Sequence, residues 1–186
     1  LATLVDEPPE GDDWLHELKF DGFRILCRVD AGKVRLLARN DKDWTDTFAP
    51  IAKAAARLPC KQALLDGEAA VVLPDGTTSF HALQNAMEEG SRERLAYFAF
   101  DLLHLDGFDL TGAPLEERKA APFDLLRRAG PAVEPLRYSD HVAGTGRQFF
   151  AQACRMKLEG IVSKKRGEPY RGGRGRSWLK VKCVAE

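Results

Sequence analysis

The run RLAYFAFDLLHLDG at residues 94–107 is apolar almost without a break and closes on an Asp-Gly turn. A stretch of that length, rich in aromatic residues, reads as a strand at the centre of a sheet, and the rest of the chain must be arranged around it. Residues 14–29 fit a strand, a glycine kink at Gly22 and a second strand half. KVRLLARN continues as a strand after the Ala31–Gly32 turn, and ALLDGEAAVVLPDG ends in another turn. GIVSKK and SWLKVKC give two late strands. The spacing of Phe48, Ile51, Ala55 and Leu58 predicts a helix over 46–58, and SFHALQNAMEEG predicts a short helix capped by Ser79. Amphipathic helices are predicted over 115–129 and 145–157. Strands outnumber helices and many join by tight turns, so the expected class is α+β, with mostly antiparallel sheets and flanking helices. The strict alternation of a doubly wound fold is missing, and no internal repeat is present.

Charge is unevenly spread. The 28 basic and 28 acidic residues cancel, yet the first thirteen residues hold Asp6, Glu7, Glu10, Asp12 and Asp13 with no base. Residues 1–13 are therefore read as an acidic lead-in, and 14–186 as one domain, a size that 44% hydrophobic content supports. Residues 164–182 carry Lys164, Lys165, Arg166, Arg171, Arg174, Arg176, Lys180 and Lys182 against Glu168 alone. Such a cluster fits a polyanionic partner or a solvated surface; the interleaved glycines, which leave backbone amides open, favour nucleic acid. No apolar stretch is long enough to span a membrane, and no basic-then-apolar leader opens the chain. Cys27, Cys60, Cys154 and Cys183 are scattered without a CxxC pair, so reduced thiols in an intracellular protein are expected. The four histidines are equally dispersed and predict no zinc site. The absence of an initiator methionine gives the expectation of a piece of something longer.

The stretch ELKFDGFR at 17–24 carries the chemistry. On a strand, Glu17, Lys19 and Asp21 share one side and Leu18 and Phe20 the other. Alone, this describes an exposed face with weak ion pairs. Three other strand patterns repeat it: Asp66 with Glu68, Glu159 at a strand entrance ahead of Lys164 and Lys165, and Lys180 with Lys182 opposite Leu179 and Val181. Lysines, an arginine and acids, without a histidine or cysteine centre, suit phosphoryl or nucleotidyl transfer: the cations neutralise phosphate oxygens and the carboxylates hold a divalent metal. The P-loop pattern GxxxxGK followed by Ser or Thr is absent, and AGTGRQ at 143–148 lacks the rest of a dinucleotide fingerprint. Lys19 could act as a nucleophile if positive neighbours such as Arg24, Lys180 and Lys182, or a metal, lower its pKa; the same pattern also allows a plain salt bridge.

The form ExKxDGxR resembles the first signature of the covalent nucleotidyltransferases: ATP-dependent DNA ligases, RNA ligases and capping guanylyltransferases. The remaining signatures follow in order: ARN at 38–40, DGE at 66–68, FDLLHLDG at 100–107, EGIVSKK at 159–165 and WLKVK at 178–182. EGIVSKK together with YRGGRGRSWLKVKC is similar to the ligase module of bacterial non-homologous end-joining ligases. The resemblance implies a covalent nucleotidyltransferase (ATP-grasp-like) fold and ATP as cofactor, with Mg2+ or Mn2+ at Glu68 and Glu159. It implies that Lys19 attacks the α-phosphate to give lysyl-AMP, with Asp21 orienting Lys19 or the terminal hydroxyl. Glu17 and its neighbouring backbone would recognise adenine, and Phe100 would stack on it. Arg24 and Glu68 would address the ribose and the AMP or nick terminus, Arg39 the nucleotide or the nick phosphate, and Lys180 and Lys182 the α-phosphate. Arg39, Lys164, Lys165, Arg171, Arg174 and Arg176 would contact DNA. By residue type alone, Phe100 and Trp178 read as packing residues, Asp101 and Asp106 as turn or edge residues, and Lys164 and Lys165 as equally fit to face water.

The implied partners are nicked or broken duplex DNA, a Ku-type end-binding protein, and polymerase or nuclease modules elsewhere in a parent chain, in a bacterial cytoplasm at the nucleoid. The family's second, OB-fold domain would follow WLKVK, whereas the sequence stops four residues after Lys182. An adenylation domain that self-adenylates slowly and seals nicks poorly is therefore expected. The alternatives are an RNA ligase, a guanylyltransferase using GTP, or a nucleotide- or DNA-binding module.

Overall fold

Two sheets organise the chain in the computed structural model, which describes residues 1–90 and 94–183. In chain order the strands are β1 (Ala2–Leu4), β2 (Trp14–Leu18), β3 (Phe23–Asp30), β4 (Lys33–Ala38), β5 (Gln62–Val71), β6 (Leu95–Leu105), β7 (Phe108–Asp109), β8 (Leu136–Tyr138), β9 (His141–Ala143), β10 (Gly160–Lys165) and β11 (Gly175–Lys182). The helices are α1 (Ala49–Ala55), α2 (Phe80–Glu89), α3 (Leu115–Ala129) and α4 (Gly146–Arg155). The α+β class holds, and no helix among the described residues is long and apolar enough to cross a membrane.

The chain divides into two units. The first comprises residues 1–20, 112–117 and 139–183 of the described chain, and its sheet runs β1-β11-β10-β2-β9. Only β1 pairs in parallel. The acidic lead-in is thus more than a lead-in, because Ala2–Leu4 forms an edge strand along β11. Its acids are partly engaged as well: Arg147 reaches Glu10 at 2.8 Å and Glu7 at 3.5 Å. Alternation along β2, β10 and β11 sends His16, Leu18, Ile161, Ser163, Leu179 and Val181 to one face. There Ile161 and Val181 pack with Ala153 of α4, flanked by Leu18, Phe149, Phe150 and Leu158.

Cys154, in the last turn of α4, is joined by a disulfide to Cys183, the residue after β11. This corrects the expectation of four reduced thiols. A separation of 29 residues in sequence carries no sign that the end of α4 lies beside the exit of β11. Cys27 and Cys60 are free thiols, as expected.

The second unit comprises residues 21–111 and 118–138, and its sheet runs β4-β3-β5-β6-β7 with β8 added in parallel to β6. β6 has neighbours along both edges, as its unbroken apolar run requires. One face is the core: Ile25, Cys27 and Val29 from β3, Leu36 from β4, Leu65 and Ala69 from β5, and Tyr97 and Ala99 from β6. Phe48, Ile51, Ala55 and Leu58 cover it from in and around α1, with Leu83 from α2 and Leu125 from α3. Each large side chain buried in this way contributes about 1.5–3 kcal/mol. The helix at 49–55 is shorter than the predicted 46–58, although the predicted face is the buried one. Ser79 caps α2 as expected, its hydroxyl accepting the Ala82 N–H at 3.1 Å.

Two signature glycines answer to close packing in this unit. A Cβ on Gly22 would sit 2.1 Å from the Ala69 carbonyl oxygen, and one on Gly67 would sit 2.5 Å from both the Tyr97 ring and the Phe98 carbonyl oxygen. Tyr97 lies across that space because its hydroxyl donates to the Ile25 carbonyl at 2.8 Å. The glycine in DGE is where the ring passes.

Candidate active site

In the first unit the functional side chains stand on the sheet face opposite α4. Cross-strand register aligns Glu17, Val162 and Lys180 in one row, and Leu15, Lys164 and Trp178 in the next. β2 ends at Leu18, so the alternating strand face predicted for 17–24 is interrupted there. The Lys19 N–H still donates to the Gly160 carbonyl at 2.9 Å, which carries the ladder one residue further and leaves Lys19 on the same face as Glu17.

The Lys19 ammonium donates to the Glu159 carboxylate. The second oxygen of that carboxylate is buried without a hydrogen-bond partner among the described residues. Lys180 has its pKa lowered by burial first, then by the positive charges of Lys19, Lys182 and Arg174, while Glu159 opposes the shift. Lys180 is therefore repelled by three other cations, and Glu159, which holds Lys19, offsets them. Such a cluster gains when an anion arrives, because the anion relieves the mutual repulsion.

Glu17 is buried. Its carboxylate accepts from the Ser139 hydroxyl at 2.8 Å and pairs with the Lys164 ammonium at 2.7 Å. Lys164 also lies 4.1 Å from the centre of the Trp178 ring, which meets Tyr170 edge-on. This corrects the assignment of Lys164 to DNA: its side chain is 3% exposed and committed inside the unit. Glu17 is thus held inside the unit by Ser139 and Lys164. Trp178 is a packing residue, as its type implied. Lys165, Arg171, Arg174 and Arg176 are exposed, as phosphate contacts require, whereas Arg166 is engaged with Glu116 at 3.0 Å and the Asp12 carbonyl at 3.2 Å.

In the second unit the sheet face opposite the core carries Arg24, Asp66, Glu68 and Phe100. Arg24 stands directly across from Glu68 in register and reaches diagonally to Asp66, with Nε to Oδ1 at 3.0 Å and Nη2 to Oδ2 at 2.6 Å. Its guanidinium lies 5.5 Å from the centre of the Phe100 ring. Phe100 is half-buried rather than a core residue, since β6 sends Tyr97 and Ala99 to the core and Phe98 and Phe100 to the other side. Asp66 is fully buried; the sequence sets it with Glu68 on one strand face but assigns it no role in the site. Asp101 is neither a turn nor an edge residue, for it is buried in β6 and paired with Arg118 at 2.9 Å. Asp106 is a turn residue whose carboxylate accepts the Lys61 and Gln62 N–H groups. Asp21 accepts the Phe80 N–H at 3.0 Å, placing a negative charge at the start of α2, and its own N–H donates to Thr78. Arg39 is exposed in the turn after β4.

Among the described residues no group of three or more His, Cys, Asp or Glu side chains forms a metal cage. Mg2+ does not need one, because it keeps several waters and takes one or two carboxylates together with substrate phosphates. Glu159, with its unpartnered buried oxygen, fits that kind of ligand; Glu68 belongs to the other unit.

The sequence matches the model of the ATP dependent DNA ligase domain over residues 4–182. It is 44% identical over 183 residues to the multifunctional non-homologous end joining protein LigD of Pseudomonas aeruginosa, covering 98% of this chain and 21% of that protein. Identity to the multifunctional non-homologous end joining DNA repair protein LigD of Mycobacterium tuberculosis is 34% over 174 residues, 93% of this chain and 22% of the relative. The chain thus spans about a fifth of these relatives. Among solved structures, a mycobacterial DNA ligase D complexed with ATP and MES superposes with a TM-score of 0.77 at 31% identity, over 98% of this chain and 60% of that one. The ligase domain of M. tuberculosis LigD gives the same TM-score of 0.77 and identity of 31%, over 98% and 59%.

Proposed function

Because this chain belongs to the family of the ATP dependent DNA ligase domain, we propose that it carries the adenylation step of DNA end joining. Residues 14–186 act as the nucleotidyltransferase domain, of which 184–186 lie outside the described residues. Once the Lys19 ammonium has released a proton to solvent, its nitrogen attacks the α-phosphorus of ATP; a phosphorus–nitrogen bond forms as the bond to pyrophosphate breaks, and a second N–H proton is lost to solvent. AMP then passes to the 5′-phosphate of a nick or break, and the 3′-hydroxyl displaces it as the strands join. Lys180 and Lys182 neutralise charge on the α-phosphate during transfer. Arg24 and Glu68 address the ribose and the AMP or nick terminus, and Phe100 stacks on adenine. Asp66 acts through Arg24 by fixing its guanidinium.

Mg2+ or Mn2+, when bound, supplies further neutralisation of phosphate charge, with Glu159 as the side chain of the first unit that would hold it. Arg39, Lys165, Arg171, Arg174 and Arg176 take the DNA backbone, so binding should weaken steeply with salt. Nicked or broken duplex DNA is the substrate, an end-binding protein of the Ku type the partner, and the bacterial cytoplasm, at the nucleoid, the location. DNA ligases among the relatives favour DNA over RNA and ATP over GTP.

The observation that carries this reading is the Lys19–Glu159 ion pair on the sheet face that also carries Lys180 and Lys182. Intact mass after incubation with ATP and Mg2+ tests it: wild type should gain one AMP, and Lys19→Ala none. A Lys19→Ala chain that still acquires covalent AMP at wild-type yield removes the nucleophile.

A further inference from the structure

The disulfide has a place in the site that the adenylation reading does not use. Cys183 immediately follows Lys182, and Lys182 pairs with Gly160 on the last rung of β10 and β11. The Cys183 N–H donates to the Glu159 carbonyl at 2.9 Å, and the Glu159 carboxylate holds the Lys19 ammonium. From the sulfur bridge to the proposed nucleophile there are two hydrogen-bonded steps. At its other end the bridge is anchored in α4, whose Ala153 packs in the core of this unit. The loop that it closes contains Glu159, Arg174, Lys180 and Lys182.

The two pairs of cysteines contrast. Cys27 is fully buried, with burial pushing its thiol up to about 12, and the half-buried Cys60 is raised by burial as well. Thiols in such surroundings are poorly reactive. Cys154 and Cys183 are partly buried, like Cys60, but their Cα atoms lie 5.3 Å apart in the bridged chain, a separation that a disulfide spans.

We propose that Cys154 and Cys183 are a redox-reactive pair whose disulfide tightens the binding of a nucleoside triphosphate. The oxidant is a hydroperoxide. It converts one thiol to a sulfenic acid, itself leaving as water or an alcohol; the second thiol then displaces water as the sulfur–sulfur bond forms. A dithiol reductant returns two electrons and two protons and becomes a disulfide itself. With the bridge closed, the Glu159 carbonyl and the Lys182 rung are held in register, and the phosphate-binding cations are already in place when the nucleotide arrives. With it open, the end of β11 is an ordinary strand terminus that frays, and binding has to order it.

This inference rests on the adenylation reading only for the choice of ligand, so its test avoids the chemical step. Wild-type chain is prepared with dithiothreitol and with hydrogen peroxide, and its state is fixed by intact mass after alkylation. Affinity for a non-transferring ATP analogue is then measured by calorimetry. Reduction should raise Kd about fivefold, the lower end of coupling between separate sites, and peroxide should restore it. The double variant Cys154→Ser, Cys183→Ser should stay at the weaker value in both treatments. Equal Kd values in two wild-type samples of verified state overturn the proposal, as does a pair that remains dithiol in peroxide or a chain that binds no analogue. The wild-type comparison decides even where the variant does not fold. Failure to form lysyl-AMP while the Kd still responds would count against the adenylation reading alone.

Discussion

Lys164 and Glu17 meet at 2.7 Å with side chains only 3% and 2% exposed. Their strands place them diagonally, since Lys164 pairs with Leu15 and Glu17 with Val162. The pair ties together the strands β2, which ends one residue before Lys19, and β10, and it explains why a lysine in the EGIVSKK signature is internal while Lys165, beside it, faces outward.

Removing Lys164 leaves a buried carboxylate without its counter-charge. Lys164→Met should cost roughly 3–5 kcal/mol of folding stability, as breaking one half of a buried pair does. Adding Glu17→Gln should recover much of that loss, because the uncompensated charge disappears. Lys165→Ala, at an exposed position, should stay within about 0.5 kcal/mol of wild type. Urea unfolding of the four proteins measures all three differences; a Lys164→Met chain as stable as Lys165→Ala would show that the buried pair does not hold in solution.

Asp66 holds Arg24 through two charge-assisted bonds, at 3.0 and 2.6 Å, and Asp66 itself is fully buried. Asp66→Asn keeps the shape and loses the charge, which should cost about 1.5–3 kcal/mol. Arg24→Lys should not restore function, since a single ammonium cannot reproduce the two-pronged contact. Both variants should lower the rate of lysyl-AMP formation by acting on the guanidinium that faces Phe100. Single-turnover adenylation separates the cases: a rate unchanged in Asp66→Asn would mean that Arg24 needs no fixing.

Much of this arrangement could be read before any coordinates. Every predicted strand appears, the helix at 115–129 falls on its predicted residues, and DGE and EGIVSKK sit on strands as their apolar alternation required. What escaped depends on contacts between segments distant in sequence. Nothing in the chain near Lys164 shows that Glu17 and Trp178 close over it from two other strands. Likewise Asp101 looks like an edge acid until Arg118 is brought to it from α3. The break at Leu18 followed the same rule, because the chain leaves one sheet there and enters another at Phe23. Local pattern sets which face a residue takes; the partner on that face is set by topology.

Gly67 should tolerate no side chain. The 2.5 Å approach to the Tyr97 ring and to the Phe98 carbonyl leaves no room for a methyl group, and neither neighbour can yield cheaply. The ring is buried and tied to the Ile25 carbonyl, while the carbonyl belongs to the central strand. Gly67→Ala should destabilise by about 1–3 kcal/mol, the usual range for overpacking, or more if the strand shifts. Gly32→Ala, where no atom lies within 4 Å of the added carbon, has no such clash and isolates the cost of a left-handed backbone. Thermal melts should therefore place Gly67→Ala below Gly32→Ala. The reverse order would mean that the ring is free to move.

His16 gives the fold a pH limit on the acid side. It is fully buried; Nδ1 shares a 2.7 Å hydrogen bond with the Ser163 hydroxyl, and Nε2 has no hydrogen-bond partner among the described residues. The Phe149 ring centre lies 6.5 Å from that of the imidazole, and a Cβ on Gly146 would sit 2.9 Å from Nε2. Burial lowers its pKa from the ordinary 6.5. Between 6.5 and that lower value the unfolded chain binds a proton that the folded chain refuses, so stability is complete above the unfolded pKa and falls as the pH drops through the window. The limiting slope for one such proton is about 1.4 kcal/mol per pH unit. Asp43 and Asp106, held below the usual carboxylate range chiefly by hydrogen bonds from Thr45 and Gln62, lose their contribution only at lower pH. Urea midpoints measured from pH 7 down to about 5 should fall for wild type and stay flatter for His16→Gln, which keeps a hydrogen-bonding group toward Ser163 but cannot take the proton. Parallel curves for the two proteins would mean that His16 is protonated in the folded chain, and the buried neutral imidazole would have to be abandoned.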